Sequence, residues 1–290
     1  MTHPLILLMR LLAPWPLGVL RALGWVLGRG LFVLARSRRH VVLVNLALCF
    51  PGLSPAERLQ RARAHFVCVA QSFLDRAWLW HGSADLLARR LRLKGTMDDI
   101  TAPGGVVMLA PHFVGLDAGA MVISLQQAMQ QVTVSSIYVP QRNAQLDAWV
   151  RQGRGRFLRT QLYSRHEGIK QILTGLRQGE KLYLLPDMDF GPAESVFVPF
   201  FGVPAATVTS LPRFARLGRA RVVTVATRMT PEGYELEVGP VWRDFPTEDV
   251  VADTARMNRE IEALAETMPE QYYWVHKRFK TRPEGEAGVY

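Results

Sequence analysis

The chain of 290 residues is poor in the residues that build covalent or metal frameworks. Its two cysteines, Cys49 and Cys68, lie in apolar segments without metal-ligand spacing. Neither a disulfide scaffold nor a zinc site is therefore expected, and a reducing, cytosolic environment fits. Residues 3–40 contain no acid. No internal repeat or low-complexity tract occurs, and no Gly-Lys-Ser/Thr follows the glycines of "APGG" and "GRGRF", which excludes a P-loop. Acids are scarce overall: 25 Asp and Glu stand against 35 Lys and Arg, a net charge of +10. Such an excess calls for an anionic partner, whether nucleic acid, acidic lipid or anionic substrate. With 49% apolar residues the chain is long and greasy enough to bury a substantial core.

What is present begins with "HPLILLMRLLAPWPLGVLRALGWVLGRGLFVLARSRRH". Leu11 to Leu34 is long enough to span a bilayer, which takes about 20 apolar residues. Arg10, Arg21, Arg29 and Arg36 could instead snorkel to headgroups, with Trp15 and Trp25 at the interface, as in a helix lying in one leaflet. The expectation is a membrane-associated helical segment over residues 1–40, monotopic or single-pass, with a buried soluble helix as the alternative. A cleaved signal is disfavoured because no A-x-A-like site follows the apolar run. The basic "ARSRRH" trails that run and favours a cytoplasmic side for residue 36 onward.

Residues 41–290 read as one domain. "NLALCF" ends a helix, and Ser54, Pro55 and Glu57 start the next. Short apolar runs at 105–110, 132–139 and 181–186 predict strands, separated by helical patterns at 116–129, 143–153 and 166–178. "ARVVTVATRM" and "YELEVGPVW" predict two further strands around Pro231-Glu232-Gly233, and a helix is expected from about Thr247 to Met268. The fold class is α/β: a mixed, largely parallel central sheet flanked by helices.

His112 follows the strand at 105–110 and so falls at its carboxyl end, where open α/β sheets bind ligands. Asp117 comes five residues later. On one helix the two would be 140° apart. They meet only if His112 is in the loop and Asp117 in the first helical turn, facing back to accept the Nδ1 proton and leave Nε2 free as a base. The plainer alternative is a core histidine and an acid placed for the helix dipole.

Longer stretches decide between these. "APHFVGLDAGA" resembles the H-x4-[DE] motif of glycerolipid-type acyltransferases, and "PDMDFGPAESVFVPFFGVPAATVT" and "YYWVHKRFKTRPEG" resemble the late acyltransferases of lipid A biosynthesis. "NLALCFPGLS", "YVPQRNAQLDAWVRQGRGRF" and the basic apolar N-terminus extend the likeness over nearly the whole chain. The resemblance implies His112 as catalytic base, Asp117 as its acidic partner, Arg154 as an essential arginine and Asp187 as a second essential acid. It also implies acyl carrier protein as donor, a lipid A precursor as the anionic glycolipid acceptor, and the cytoplasmic face of the inner membrane. Two positions depart from the pattern: Asp117 stands where glutamate is common, and Val139 where arginine is common.

On this reading His112 deprotonates a 3-hydroxyl of an acyl chain on the acceptor, the alkoxide attacks the thioester directly, and no cofactor or covalent enzyme intermediate is needed. Backbone N–H groups near Gly115, or Arg154, would meet the oxyanion. Arg142, Arg151, Arg154, Arg156 and Arg159 form one basic cluster for acceptor phosphates; His276, Lys277, Arg278, Lys280 and Arg282 form another beside Tyr272, Tyr273 and Trp274. Asp187 and Asp189 have too few companions for a metal site, and the expected role is structural, holding Arg154 or orienting the site by ion pairing. Phe197, Phe200 and Phe201 are read as core, as wall of an acyl tunnel, or as both. The rivals are a lysophospholipid or aminolipid O-acyltransferase, a thioesterase, and a nucleic-acid-binding protein; the aromatics form no RNA-binding consensus, so no nucleic acid is expected.

Overall fold

A computed structural model describes residues 2–126, 129, 131–157, 159–164 and 169–290. Three helices open the chain: α1 (Pro4–Leu12), α2 (Leu17–Leu34) and α3 (Arg36–Cys49). The apolar run over Leu11–Leu34 is thus two helices rather than one span. Pro14 and Pro16 explain the break, because a proline inside a helix removes an amide donor and clashes with the preceding turn. Helix α3 runs across residue 40, so the seam drawn there from composition falls inside a helix.

The long α4 (Pro55–His81) starts at a capping box, in which Ser54 Oγ accepts the Glu57 N–H and Glu57 accepts the Ser54 N–H. Helices α1, α2 and α3 all pack on α4. The buried face of α2 is Leu20, Gly24, Gly28 and Phe32, an i, i+4 stripe. Its glycines let the two backbones close up: a Cβ on Gly28 would lie 2.5 Å from Val67 Cα. The opposite face, with Leu23, Trp25, Val26, Leu27 and Leu34, is exposed.

After α5 (Ala84–Arg90), β1 (Leu91–Lys94) and α6 (Asp98–Thr101), the chain alternates strand and helix: β2 (Val106–Leu109), α7 (Leu116–Leu125), β3 (Thr133–Tyr138), α8 (Ala144–Arg154), β4 (Arg159–Ser164), α9 (Ile169–Arg177) and β5 (Lys181–Leu184). A hairpin of β6 (Ser195–Phe200) and β7 (Val203–Val208) leads into α10 (Ser210–Gly218), β8 (Arg221–Thr230), β9 (Gly233–Val241) and α11 (Val250–Thr267). The expected helix at 116–129 is described to Leu125, and residues 127 and 128 lie outside the described residues. So do residues 166–168 of the helix expected at 166–178.

Seven strands form one sheet in the order β1-β9-β8-β2-β5-β3-β4. All neighbours are parallel except β8 and β9, whose antiparallel pairing follows from the short turn joining them. The sheet is mixed, largely parallel and covered by helices. Alternate residues of one strand feed opposite cores: Val107 and Leu109 pack on one face with Leu182 and Val222, Val106 and Met108 on the other with Tyr183 and Val223.

Candidate active site

Strands β2 and β5 lie side by side with Leu109 opposite Leu184. Each runs on through a proline, Pro111 or Pro186, that has no N–H for the ladder. The next residue of each chain is His112 or Asp187, three positions past the paired leucines. Register alone therefore sets these two side chains next to each other at the carboxyl edge of the sheet.

The contact is tight. His112 Nδ1 lies 2.6 Å from Asp187 Oδ1, and the His112 backbone N–H donates to Oδ2 at 2.9 Å. Burial pushes the Asp187 carboxyl up, but the His112 charge and these donors outweigh it and bring it down to about 2. An ionised Asp187 accepts only, so the proton sits on Nδ1. His112 Nε2 makes no hydrogen bond to any described residue, and the side chain, 21% exposed, lines a cavity of about 640 Å³.

The expected His112–Asp117 pair is absent. Asp117 makes no hydrogen bond or ion pair with the histidine and lies between two arginines, its Oδ2 2.8 Å from Arg76 Nε and its Oδ1 3.0 Å from Arg154 Nε. Burial raises its carboxyl, but both cations pull harder and lower it to about 2. Of the two roles expected for Asp187 the structure shows the orienting ion pair, with His112, while Asp117 and not Asp187 holds Arg154. Helix α4 supplies Arg76, α7 Asp117 and α8 Arg154, so the cluster also ties three helices together. Arg76 was not singled out from the sequence, although with Asp75 it interrupts the apolar run "FLDRAWLW", which was the signal available; it rests against Phe73 and Trp80.

The cavity opens between the ends of β3, β4 and β5 and the flanks of α7 and α10. Its walls are chiefly apolar, among them Leu116, Ile123, Ile137, Leu162, Ile172 and Phe214, with Asp117 and Arg154 at the histidine end. That volume falls within the usual range for small-molecule sites, about 300–1,000 Å³.

The family model for bacterial lipid A biosynthesis acyltransferases matches residues 3–281. The chain belongs to that family. It is 33% identical over 283 residues to the lipid A biosynthesis lauroyltransferase of Escherichia coli (strain K12), covering 96% of this chain and 90% of the relative. The palmitoleoyltransferase of the same strain is 32% identical over 284 residues, with 96% and 89% covered. The corresponding figures for its myristoyltransferase are 32% over 277 residues, with 94% and 83% covered. The protein is an acyltransferase.

In this acyltransferase the remaining residues singled out from the sequence are dispersed. Arg142 is exposed in the loop after β3, beside Gln141 at the cavity rim. Arg156 turns to α4, where its guanidinium donates to the carbonyls of Leu79 and Gly82. Arg159 is on the wrong face of β4, since the alternate residues Thr160, Leu162 and Ser164 line the cavity. Arg278 is buried and structural: it donates to the Ala206 carbonyl and Thr207 Oγ1 and stacks over Phe200. Burial lowers His276 to about 4, so it is neutral near pH 7 and its Nε2 accepts the Asp189 N–H. Lys277 is exposed over the Tyr290 ring. Asp189 accepts from the Thr281 N–H and hydroxyl, pinning the loop after β5. No group of three metal-ligating side chains occurs among the described residues.

The phenylalanine run forms the β6–β7 hairpin and does not line the cavity. Phe200 packs into the core against Tyr272 and Phe279, Phe201 takes the left-handed first position of the turn beside Gly202, and Phe197 points outward. An apolar run with period-two alternation marks a strand before it marks a tunnel. The lining comes instead from residues scattered over eight elements and the loops between them.

Proposed function

We propose that the protein transfers a fatty acyl chain from an acyl carrier protein thioester to a hydroxyl of a lipid A precursor, with His112 as general base and Asp187 as its partner. His112 Nε2 takes the hydroxyl proton as the alkoxide oxygen bonds to the thioester carbonyl carbon. Collapse of the tetrahedral intermediate breaks the carbon–sulfur bond, and the imidazolium returns the proton to the leaving thiolate. Asp187 fixes the tautomer and stabilises the imidazolium. Amides at the start of α7, which have no intrahelical acceptor, and the Arg154 guanidinium held by Asp117 stand near the developing oxyanion. The apolar cavity takes the acyl chain.

The observation that carries this reading is the 2.6 Å contact of His112 Nδ1 with Asp187, which leaves Nε2 facing the cavity. Helix α2 supplies the anchor at the cytoplasmic face of the inner membrane. Its mean hydropathy is 1.6 over 18 residues, and its outer face is apolar. Both ends of α2 continue into helices packed on α4, which favours a helix lying in one leaflet over one that crosses.

The test is purified protein in detergent with acyl carrier protein donors of several lengths and a tetra-acylated lipid A precursor, read by mass. His112→Ala should lose about 10²- to 10⁴-fold in kcat. Transfer at the parental rate by that variant eliminates the mechanism, and release of free fatty acid without an acceptor points to a thioesterase.

A further inference from the structure

Helix α10 presents Ser210, Arg213, Phe214 and Leu217 to the cavity, the i, i+3, i+4, i+7 set of one helical face. Phe214 and Leu217 continue the apolar wall. The first turn does not. Thr209, at the N-cap, is only 8% exposed and also lines the cavity, yet its hydroxyl caps nothing and has no hydrogen-bond partner among the described residues. An N-cap threonine ordinarily closes on the second or third amide of its helix; here the third position is Pro212, which has no N–H, and the amides left open in the first turn are those of Ser210 and Leu211. Ser210 Oγ likewise has no partner among the described residues.

Arg213 is exposed at the same turn and forms no ion pair among the described residues. The cavity has two carboxylates besides. Asp117 is occupied by Arg76 and Arg154, and Glu194 forms no ion pair with Arg213. One free cation, two open hydroxyls and the amide end of a nine-residue helix therefore meet at one place. Each favours an oxyanion with several acceptors, and together they match a phosphate group.

We propose that Thr209, Ser210, Arg213 and the first turn of α10 form a phosphate-binding subsite inside the acyl-transfer cavity. The proposal rests on the reading that this cavity receives both a thioester donor and a glycolipid acceptor. Two sources supply the same chemistry: the phosphodiester of a donor's pantetheine arm and a phosphate monoester on the acceptor sugar. In either case the contact would set how deep the reacting end of that substrate lies relative to His112.

Kinetics with two phosphate-free substrates separate the sources: the same acyl group on N-acetylcysteamine, and the acceptor stripped of phosphate. Arg213→Gln should raise KM about tenfold, the size of one lost charge-assisted contact, for the substrate whose phosphate is bound, with kcat little changed. The rise should vanish when that substrate lacks its phosphate, and Arg213→Lys should recover part of it. An unchanged KM for both substrates, or an equal rise with the phosphate-free forms, overturns the proposal. Calorimetric titration of the full-length protein in detergent with inorganic phosphate tests the site without any turnover. The parent should bind and Arg213→Gln and Thr209→Val should bind more weakly, with Thr209→Val melting no lower than the parent because its hydroxyl holds nothing. No binding by the parent, or equal affinity in the variants, refutes the subsite even if acyl transfer proceeds. Intact phosphate binding with no transfer to any acceptor would instead refute the acyltransferase reading and leave the subsite standing.

Discussion

Asp187 takes both of its hydrogen bonds from His112, one from the ring and one from the backbone N–H, so its charge is committed to one residue. Asp187→Asn should keep the fold and lower kcat by about 10²- to 10⁴-fold, because an amide no longer selects the Nδ1-protonated tautomer; acyl transfer under single-turnover conditions checks this. Asp117→Ala is expected to cost about 2 kcal/mol in urea unfolding, between the exposed and fully buried limits, since it frees two half-buried guanidiniums. Both carboxyls are lowered to about 2 in the folded chain, against an ordinary value near 3.9 for a free aspartate. Their contribution to stability is therefore complete above about pH 5 and lost as pH falls through 4 towards 2. The urea midpoint should drop across that window in the parent and drop less in the Asp117→Asn, Asp187→Asn double variant. The sequence singled out His112, Asp117, Arg154 and Asp187, which the fold gathers at one end of the sheet, but paired His112 with the wrong acid. Spacing along the chain brings Asp117 closest to His112, whereas Asp187 arrives from 75 residues away by strand register. Arg76 was missed because the charges inside "FLDRAWLW" name no partner until the neighbouring helices are placed.

Helix α2 shows how one residue type does opposite things on two faces. Gly28→Ala should lower stability in detergent by about 1–3 kcal/mol, read as a lower melting temperature, because its Cβ meets Val67 and Phe66 backbone. Gly30→Ala meets nothing within 4 Å and should raise it slightly, by about 0.5–1 kcal/mol of helix propensity. If both variants move together, the packing of α2 on α4 is not as described. Among the strands, β2, β3, β5, β8 and β9 were legible because their apolar runs and turns are unambiguous. Two were not. β4 reads "RTQLYS", a polar edge strand with one face to the cavity, and β1 is four residues long with two charges. The hairpin of β6 and β7 was visible as apolar sequence, and of the two readings of its phenylalanines core packing holds for Phe200 and Phe201, whereas none of the three lines the cavity.

Across the whole molecule, the apolar outer face of α2 combines with a net charge of +10. Binding to vesicles containing anionic lipid should therefore exceed binding to neutral ones and weaken as salt rises from 0.05 to about 0.5 M, while the part due to α2 persists. A flotation assay measures both. Composition had already pointed to an anionic surface or substrate, though not to which arginines remain free after folding; most of those counted in clusters turn out to hold carbonyls or carboxylates of the protein itself. The seating of α2 has one more consequence. A free transmembrane rod answers a thicker or thinner bilayer by leaning, but a rod clamped along its length and at both ends to a rigid body has no such freedom. Turnover in nanodiscs should thus be indifferent to the chain length of the host lipid.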